Sequence, residues 1–181
     1  GRTETVLLYR SADRVLLWRR PRDAGAEGTE DAGEIWKVLR RGSPQDAQRE
    51  VGLGQRLAGP GIAQYLRVDR EPTTGRPVVV VRAVQGQDLH NFVLSHGPLP
   101  IGRALRVAAD LADALAQIHA AVGPDAPRGC VHNDVKPSNL ILAGGGDGSD
   151  PDHPEPGHLE PEHLEPVLID LEHAVPAPDP G

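Results

Sequence analysis

Short apolar runs separated by polar residues occupy the first part of the chain, and this pattern predicts a β-sheet with one helix inserted. The runs Thr5 to Arg10 and Arg14 to Arg19 are separated by Ser11-Ala12-Asp13, which is typical of a β-hairpin. Residues 21–33 have no periodicity and predict a loop. Three further strands are predicted by apolar runs at Glu34 to Arg40, Ile62 to Val68 and Pro77 to Val84.

Two longer helices are predicted. Ser43 stands before Pro44 and three residues before Asp46, a pattern typical of a capped helix start, and we expect this helix to end near Leu57. Residues 85–99 predict a connector with a short helix, and residues 101–121 have the clearest helical periodicity. The face of the last helix expected to pack on the core comprises Ile101, Leu105, Ala108, Leu111, Ala112, Leu115 and Ile118.

The last third of the chain predicts short strands and loops. Cys130-Val131 leads into a loop over residues 132–138, and strands are expected at Asn139 to Ala143 and Val167 to Asp170. Between them, residues 144–166 are acidic and of low complexity, with a small His-Leu-Glu-Pro repeat, and predict a flexible insertion. The order of elements predicts an α+β fold in two lobes, divided at residue 84 into 1–84 and 85–181.

Composition narrows the functional classes. The chain has 181 residues and a formal net charge of -7, which argues against a nucleic acid as the main partner, because phosphate binding needs a basic surface. No apolar run approaches the ~18 residues of a membrane span, and no signal-peptide pattern opens the chain, so we expect a cytoplasmic protein. The single cysteine, Cys130, predicts a buried thiol rather than a disulfide.

Lysine is scarce. Only Lys37 and Lys136 occur among the 19 Lys and Arg residues, and the bias towards Arg, Ala, Gly and Pro indicates a GC-rich, bacterial genome. Lys supplies a compact ammonium where Arg supplies a planar fork, so we expect each lysine to stand where a point charge is needed. Lys136 lies in the stretch His132-Asn133-Asp134-Val135-Lys136-Pro137-Ser138-Asn139, which carries the strongest functional signal in the sequence.

That stretch resembles the catalytic loop of eukaryotic-type Ser/Thr protein kinases, His-Arg-Asp-x-Lys-Pro-x-Asn. The resemblance implies a protein kinase-like fold and phosphoryl transfer from ATP, with Mg²⁺, to hydroxyl groups of protein substrates. It implies that Asp134 accepts the substrate hydroxyl's proton and that Lys136 stabilises the transferring phosphoryl group. Asn139, together with Asp170 at the end of an apolar run, would hold Mg²⁺.

The resemblance extends to the first lobe, with an antiparallel sheet and one helix, while the second lobe is expected to be mainly helical and incomplete. Lys37 resembles the strand lysine that contacts the α- and β-phosphates of ATP, and Glu50 on the next helix resembles its partner. The residues implied to border the adenine are Val81, Arg82 and Val84.

Several features depart from the family pattern. The first hairpin lacks Gly-x-Gly-x-x-Gly, Ile35 stands where a small Ala is usual, and Asn133 replaces an Arg. The missing glycine motif, Ile35 and the early end of the chain favour a second hypothesis, a pseudokinase-like binding or regulatory module. Asp170-Leu171-Glu172 in place of Asp-Phe-Gly favours a third, a small-molecule kinase of the aminoglycoside or choline phosphotransferase type. Because the chain contains no Met and ends at Gly181, we expect either a fragment truncated after the Asp170 motif or a minimal kinase-like domain, of unassigned oligomeric state and substrate.

Overall fold

The computed structural model describes residues 3–21, 33–123, 126, 128–144 and 164–177. These residues form an α+β structure that divides into two compact units, the first comprising residues 1–58 and 63–83 and the second residues 59–62 and 84–181. The described elements, in chain order, are β1 (Thr3–Arg10), β2 (Arg14–Pro21), β3 (Glu34–Leu39), α1 (Pro44–Arg56), β4 (Tyr65–Arg70), β5 (Pro77–Arg82), β6 (Gly86–Asp88), α2 (Leu89–His96), α3 (Ile101–Ala120), β7 (Cys130–Val131), β8 (Leu140–Gly144), β9 (Leu164–Leu168) and β10 (Val175–Pro176).

The first unit is an antiparallel sheet of five strands in the order β1-β2-β3-β5-β4, with α1 packed against β4 and β5. Side chains alternate between the two faces of each strand, so neighbouring residues of β3 serve different purposes. Trp36 and Val38 join Val78 and Val80 in a buried cluster on one face. Lys37 therefore points to the opposite face, where it stands between Leu16 of β2 and Val79 of β5 in the strand register.

The start of α1 is built as the sequence predicts. The Ser43 hydroxyl accepts a hydrogen bond from the Asp46 amide at 3.2 Å, and the Asp46 carboxylate accepts one from the Ser43 amide at 2.7 Å. Pro44 occupies the first helical position, where its missing N–H is not needed. This reciprocal cap fixes where the helix begins and hence the direction in which Glu50, two turns later, faces.

The second unit contains α2, α3, a three-stranded sheet in the order β6-β8-β9, and the short pair β7 and β10. On α3 the buried side chains are Val107, Ala114 and Ile118. The predicted core face is therefore right at Ile118 but wrong for Ile101, Leu105, Ala108 and Ala112, which are exposed. Because α3 carries apolar residues on more than one side, helical periodicity alone did not identify the packed side.

Several element ends differ from the predictions, most of all at β4 and β9. β4 begins at Tyr65 rather than Ile62, because Ile62 instead bridges Leu168. β9 ends at Leu168, so Asp170 follows the strand instead of terminating it. The predicted insertion at 144–166 is too long at both ends, since Gly144 belongs to β8 and Leu164 to Pro166 belong to β9; its residues 145–163 lie outside the described part of the chain.

Two predictions from composition can also be compared with the structure. Cys130 is buried and forms no disulfide, as expected. No helix within the described residues combines the length and the apolar character needed to cross a bilayer.

Candidate active site

The loop between β7 and β8 turns sharply and places its polar side chains together. Asn133 has φ 69°, a left-handed conformation that Asn tolerates better than most residues because its short side chain can bond locally. A single 3₁₀ turn, Pro137–Asn139, then leads into β8. A non-glycine residue held in this conformation is typical of functional loops. The sequence signal for it was the Asn itself, which the resemblance marked only as a replacement for Arg.

Asp134, Lys136 and Asn139 form one hydrogen-bonded group. The Lys136 ammonium lies 2.6 Å from the Asp134 carboxylate. Asn139 Nδ2 donates to the Asp134 carboxylate at 2.9 Å and to the Asp134 carbonyl at 3.0 Å. The hydrogen bond from Lys136, followed by that from Asn139, lowers the pKa of Asp134 below its ordinary value against a smaller opposing effect of burial. Asp134 is therefore a carboxylate at neutral pH, able to accept a proton.

This group adds little to the stability of the fold. The side chains of Lys136 and Asp134 are 44% and 22% exposed, and ion pairs so open to water are worth about 0–1 kcal/mol. The geometry instead orients atoms. Both donors of the Asn139 amide are engaged by Asp134, which leaves Oδ1 as the atom of Asn139 that can bind a cation.

His132 is buried and contacts the backbone of the loop at Asp134. Its side chain is 1% exposed, and its Nδ1 accepts a hydrogen bond from the Asp134 amide at 3.2 Å. Burial lowers the pKa of His132, opposed by the Ile169 backbone and by the charges of Asp170 and Asp134. A buried imidazole that accepts from the Asp134 amide holds the backbone of the loop in place.

Asp170 is tied to the loop through the backbone. The Ile169 amide donates to the Asn139 carbonyl at 2.9 Å. This main-chain hydrogen bond joins one predicted metal ligand, Asn139, to the residue that directly precedes the other, Asp170. Asp170 has φ 68°, and its Oδ1 accepts a hydrogen bond from the Glu172 amide at 3.4 Å. The described residues include no group of three His, Cys, Asp or Glu side chains arranged for a metal. A carboxylate and an amide oxygen nevertheless fit Mg²⁺, which is commonly held by one or two protein ligands with phosphate oxygens and water.

Lys37 and Glu50 meet inside the first unit. The Lys37 ammonium lies 3.1 and 3.2 Å from the two carboxylate oxygens of Glu50, and the side chains are only 7% and 5% exposed. The pairing expected from the resemblance is thus formed, between residues 13 positions apart in the sequence. A buried charge pair of this kind is costly to break, because the remaining charge would lose this partner in a poorly solvated site.

The residues expected to border an adenine are placed as follows. Val81 stands beside Ile35 in the strand register, on the same sheet face as Lys37. Arg82 is exposed and its Nε donates to Gln64 at 2.6 Å, which makes it a rim residue in the first unit. Val84 is half-buried and begins the main segment of the second unit.

The β1–β2 turn is closed on itself. The Ser11 hydroxyl accepts hydrogen bonds from the amides of Asp13 at 3.3 Å and Arg14 at 3.1 Å, and the Ser11 amide donates to the Arg14 carbonyl. In a glycine-rich phosphate loop such amides face the ligand. Here the Ser11 hydroxyl already accepts from the amides of Asp13 and Arg14, in a hairpin whose sequence lacks the glycine-rich motif.

Comparisons with known proteins agree with this architecture. No protein-family model matches the chain. It is 37% identical over 98 residues to the probable serine/threonine-protein kinase PkwA of Thermomonospora curvata, covering 54% of this chain and 12% of that protein. It is 33% identical over 151 residues to the serine/threonine-protein kinase PkaA of Streptomyces coelicolor, covering 78% and 25% respectively. With the serine/threonine-protein kinase PknB of Mycobacterium leprae the identity is 31% over 115 residues, covering 59% and 17%.

The class of protein that the fold and the loop define is therefore protein kinase-like. The chain is a relative of bacterial serine/threonine protein kinases, with a partial α+β protein kinase-like fold. It spans a quarter or less of the length of these three proteins.

Proposed function

We propose that this chain catalyses ATP- and Mg²⁺-dependent phosphoryl transfer to a Ser or Thr hydroxyl of a protein substrate. The observation that carries the proposal is the group formed by Asp134, Lys136 and Asn139, in which a carboxylate of lowered pKa lies beside an ammonium and an oriented amide. The relatives are named serine/threonine-protein kinases, which supports the same reaction class. The ATP-dependent reaction suits a cytoplasmic location, which is part of the proposal.

Each side chain has a defined task. Asp134 would accept the hydroxyl proton and orient the nucleophile, while Lys136 would stabilise the charge on the transferring phosphoryl group. Asn139 Oδ1 and the Asp170 carboxylate would hold Mg²⁺, which when bound neutralises phosphate charge. Lys37, held by Glu50, would contact the nucleotide phosphates. Val81, Arg82 and Val84 would border the adenine.

Transfer of radiolabelled γ-phosphate from Mg·ATP to a generic protein substrate tests the proposal. Asp134→Asn should lower the rate by about 10²–10⁴-fold, the usual contribution of a general base. Asp113→Asn, on the exposed side of α3, is the matched control and should leave the rate unchanged. Unchanged transfer by Asp134→Asn, with a wild-type circular dichroism spectrum in both variants, would refute the assignment.

A second candidate, a nucleotide-binding module without transfer, is favoured by the β1–β2 turn. Because Ser11 occupies the amides of Asp13 and Arg14, this turn offers fewer donors to phosphates than a glycine-rich loop. A thermal shift with Mg·ATP in a wild-type protein that transfers no phosphate would support this module. Transfer to an amino alcohol or a sugar, and not to protein, would instead support the small-molecule kinase suggested by Leu171-Glu172.

A further inference from the structure

A four-residue segment after α1 belongs to the second unit. Residues 59–62 follow the first unit's helix in the sequence and precede its strand β4, yet they group with residues 84–181. The Gly61 carbonyl accepts a hydrogen bond from the Leu168 amide at 2.8 Å, and Ile62 forms an isolated parallel bridge with Leu168. Leu168 is fully buried at the end of β9. The segment therefore holds the end of the strand that leads to Asp170.

Two successive amides at this strand end are held by different partners. Leu168 donates to Gly61, and Ile169 donates to the Asn139 carbonyl at 2.9 Å. Asp170 comes next, in its left-handed conformation. The position of the Asp170 carboxylate relative to Asn139 thus depends on both hydrogen bonds, and only one of them involves the catalytic loop.

Gly61 is itself held in place by α3. It has φ +74°, and a Cβ built on it would lie 3.2 Å from the Ala114 Cβ and 3.6 Å from the Pro166 carbonyl oxygen. Next to it, the Pro60 carbonyl accepts a hydrogen bond from Gln117 Nε2 at 3.1 Å. The positive φ favours glycine here, and a Cβ would also require Ala114 to move by a few tenths of an ångström. A helix that carries no predicted site residue is thereby connected to the Asp170 strand.

We propose that Gly61, anchored through Pro60 by Gln117, is a positioning residue for the metal ligand Asp170. The inference rests on the proposed function, because the placement of Asp170 matters only if the carboxylate binds a cation. Groups that orient a metal ligand without touching the metal commonly affect affinity by about 10–100-fold when they are changed. In this proposal, the contact between Gly61 and Leu168 supports the binding of a divalent cation together with a nucleoside diphosphate or triphosphate.

The test is the binding of Mn²⁺ in the presence of ADP, measured from the electron paramagnetic resonance signal of free Mn²⁺. Gly61→Ala should weaken Mn²⁺ binding about tenfold or more. Gly97→Ala is the matched control, because Gly97 also has positive φ, +80°, lies in the same unit and has no neighbour within 4 Å of a built Cβ. It also places an alanine at positive φ and should bind Mn²⁺ as the wild type does.

A second pair of variants covers the case in which Gly61→Ala does not fold. Gln117→Leu removes the bond to Pro60, and Gln55→Leu removes a similar side-chain bond to the Leu66 carbonyl in the first unit. Only Gln117→Leu should weaken Mn²⁺ binding. If the wild type binds Mn²⁺ and neither Gly61→Ala nor Gln117→Leu binds it more weakly than its control variant, the positioning role of Gly61 is overturned, while the proposed function is not. A wild type that binds no Mn²⁺ with ADP would instead overturn the proposed function.

Discussion

The buried Lys37–Glu50 pair allows the sharpest test of how the first unit is stabilised. Replacing Glu50 by Leu removes the carboxylate that pairs with the Lys37 ammonium at a position where the side chain is 7% exposed, and Lys37→Met removes the ammonium that pairs with Glu50. Breaking one side of a buried pair typically costs about 3–5 kcal/mol. Replacing both partners by apolar residues of similar volume is often neutral or stabilising. We therefore expect each single variant to be much less stable than Lys37→Met/Glu50→Leu.

Urea denaturation followed by tryptophan fluorescence measures this effect in the right unit, because Trp18 and Trp36 are the chain's two tryptophans and both lie in the first unit. With a loss of about 4 kcal/mol and a urea slope of about 2 kcal/mol/M, each single variant should move the midpoint down by ~2 M. The double variant should return close to the wild-type midpoint.

An exposed ion pair in the same unit provides the control. Arg41 and Asp13 lie 3.2 Å apart with side chains 75% and 64% exposed, so Asp13→Asn should leave the midpoint unchanged. Two results would contradict a buried, mutually stabilising pair: single variants at Lys37 and Glu50 whose midpoints match this control, or a double variant whose midpoint falls by the sum of the two single effects.

Two further predictions concern packing and pH. Gly54→Ala should lower the unfolding free energy of the first unit by about 1–3 kcal/mol in the same assay, because the new Cβ would overlap Cβ, Cγ and Cδ2 of Tyr65. Gly52→Ala on the same helix would meet no atom closer than 3.9 Å and should be neutral or stabilising. Burial lowers the folded-state pKa of His132, so the unfolded state takes up a proton at a higher pH than the folded state does. The stability that His132 contributes is therefore present above an unfolded pKa of about 6.5 and is lost as pH falls through the folded pKa. Thermal unfolding of wild type and His132→Phe between pH 7.5 and 5 should show the wild type losing more stability, and parallel pH profiles would contradict the assignment.

What could be predicted from the sequence was mostly local. The capped start of α1 follows from Ser43, Pro44 and Asp46, which satisfy one another's backbone groups within four residues. The contacts of Asp134 with Lys136 and Asn139 likewise join residues at most five apart, so the motif specified them directly. Local rules of this kind need no knowledge of the rest of the fold.

What could not be predicted depends on distant partners. The apolar residues of α3 cover more than one side, and the burial of Val107 and Ala114 rather than Ile101 and Leu105 is decided by what packs there. The bond between Gly61 and Leu168 joins two backbone groups, which leave no trace in side-chain chemistry. The sequence offered only Gly61 itself, and in the run Gly59-Pro60-Gly61 that glycine is explained equally well as part of a helix stop.

The interleaving of residues 59–62 with the second unit also affects the order in which the chain can fold during synthesis. The Gly61 carbonyl is made 168 − 61 = 107 residues before the Leu168 amide that it accepts from. At a synthesis rate of about 5–20 residues per second, this acceptor waits roughly 5–20 s for its donor. The β-sheet of the first unit is complete in sequence by Arg82, well before that moment. The Gly61 carbonyl must therefore remain without this donor until β9 has been translated, which makes the attachment of the Asp170 strand a late event in folding.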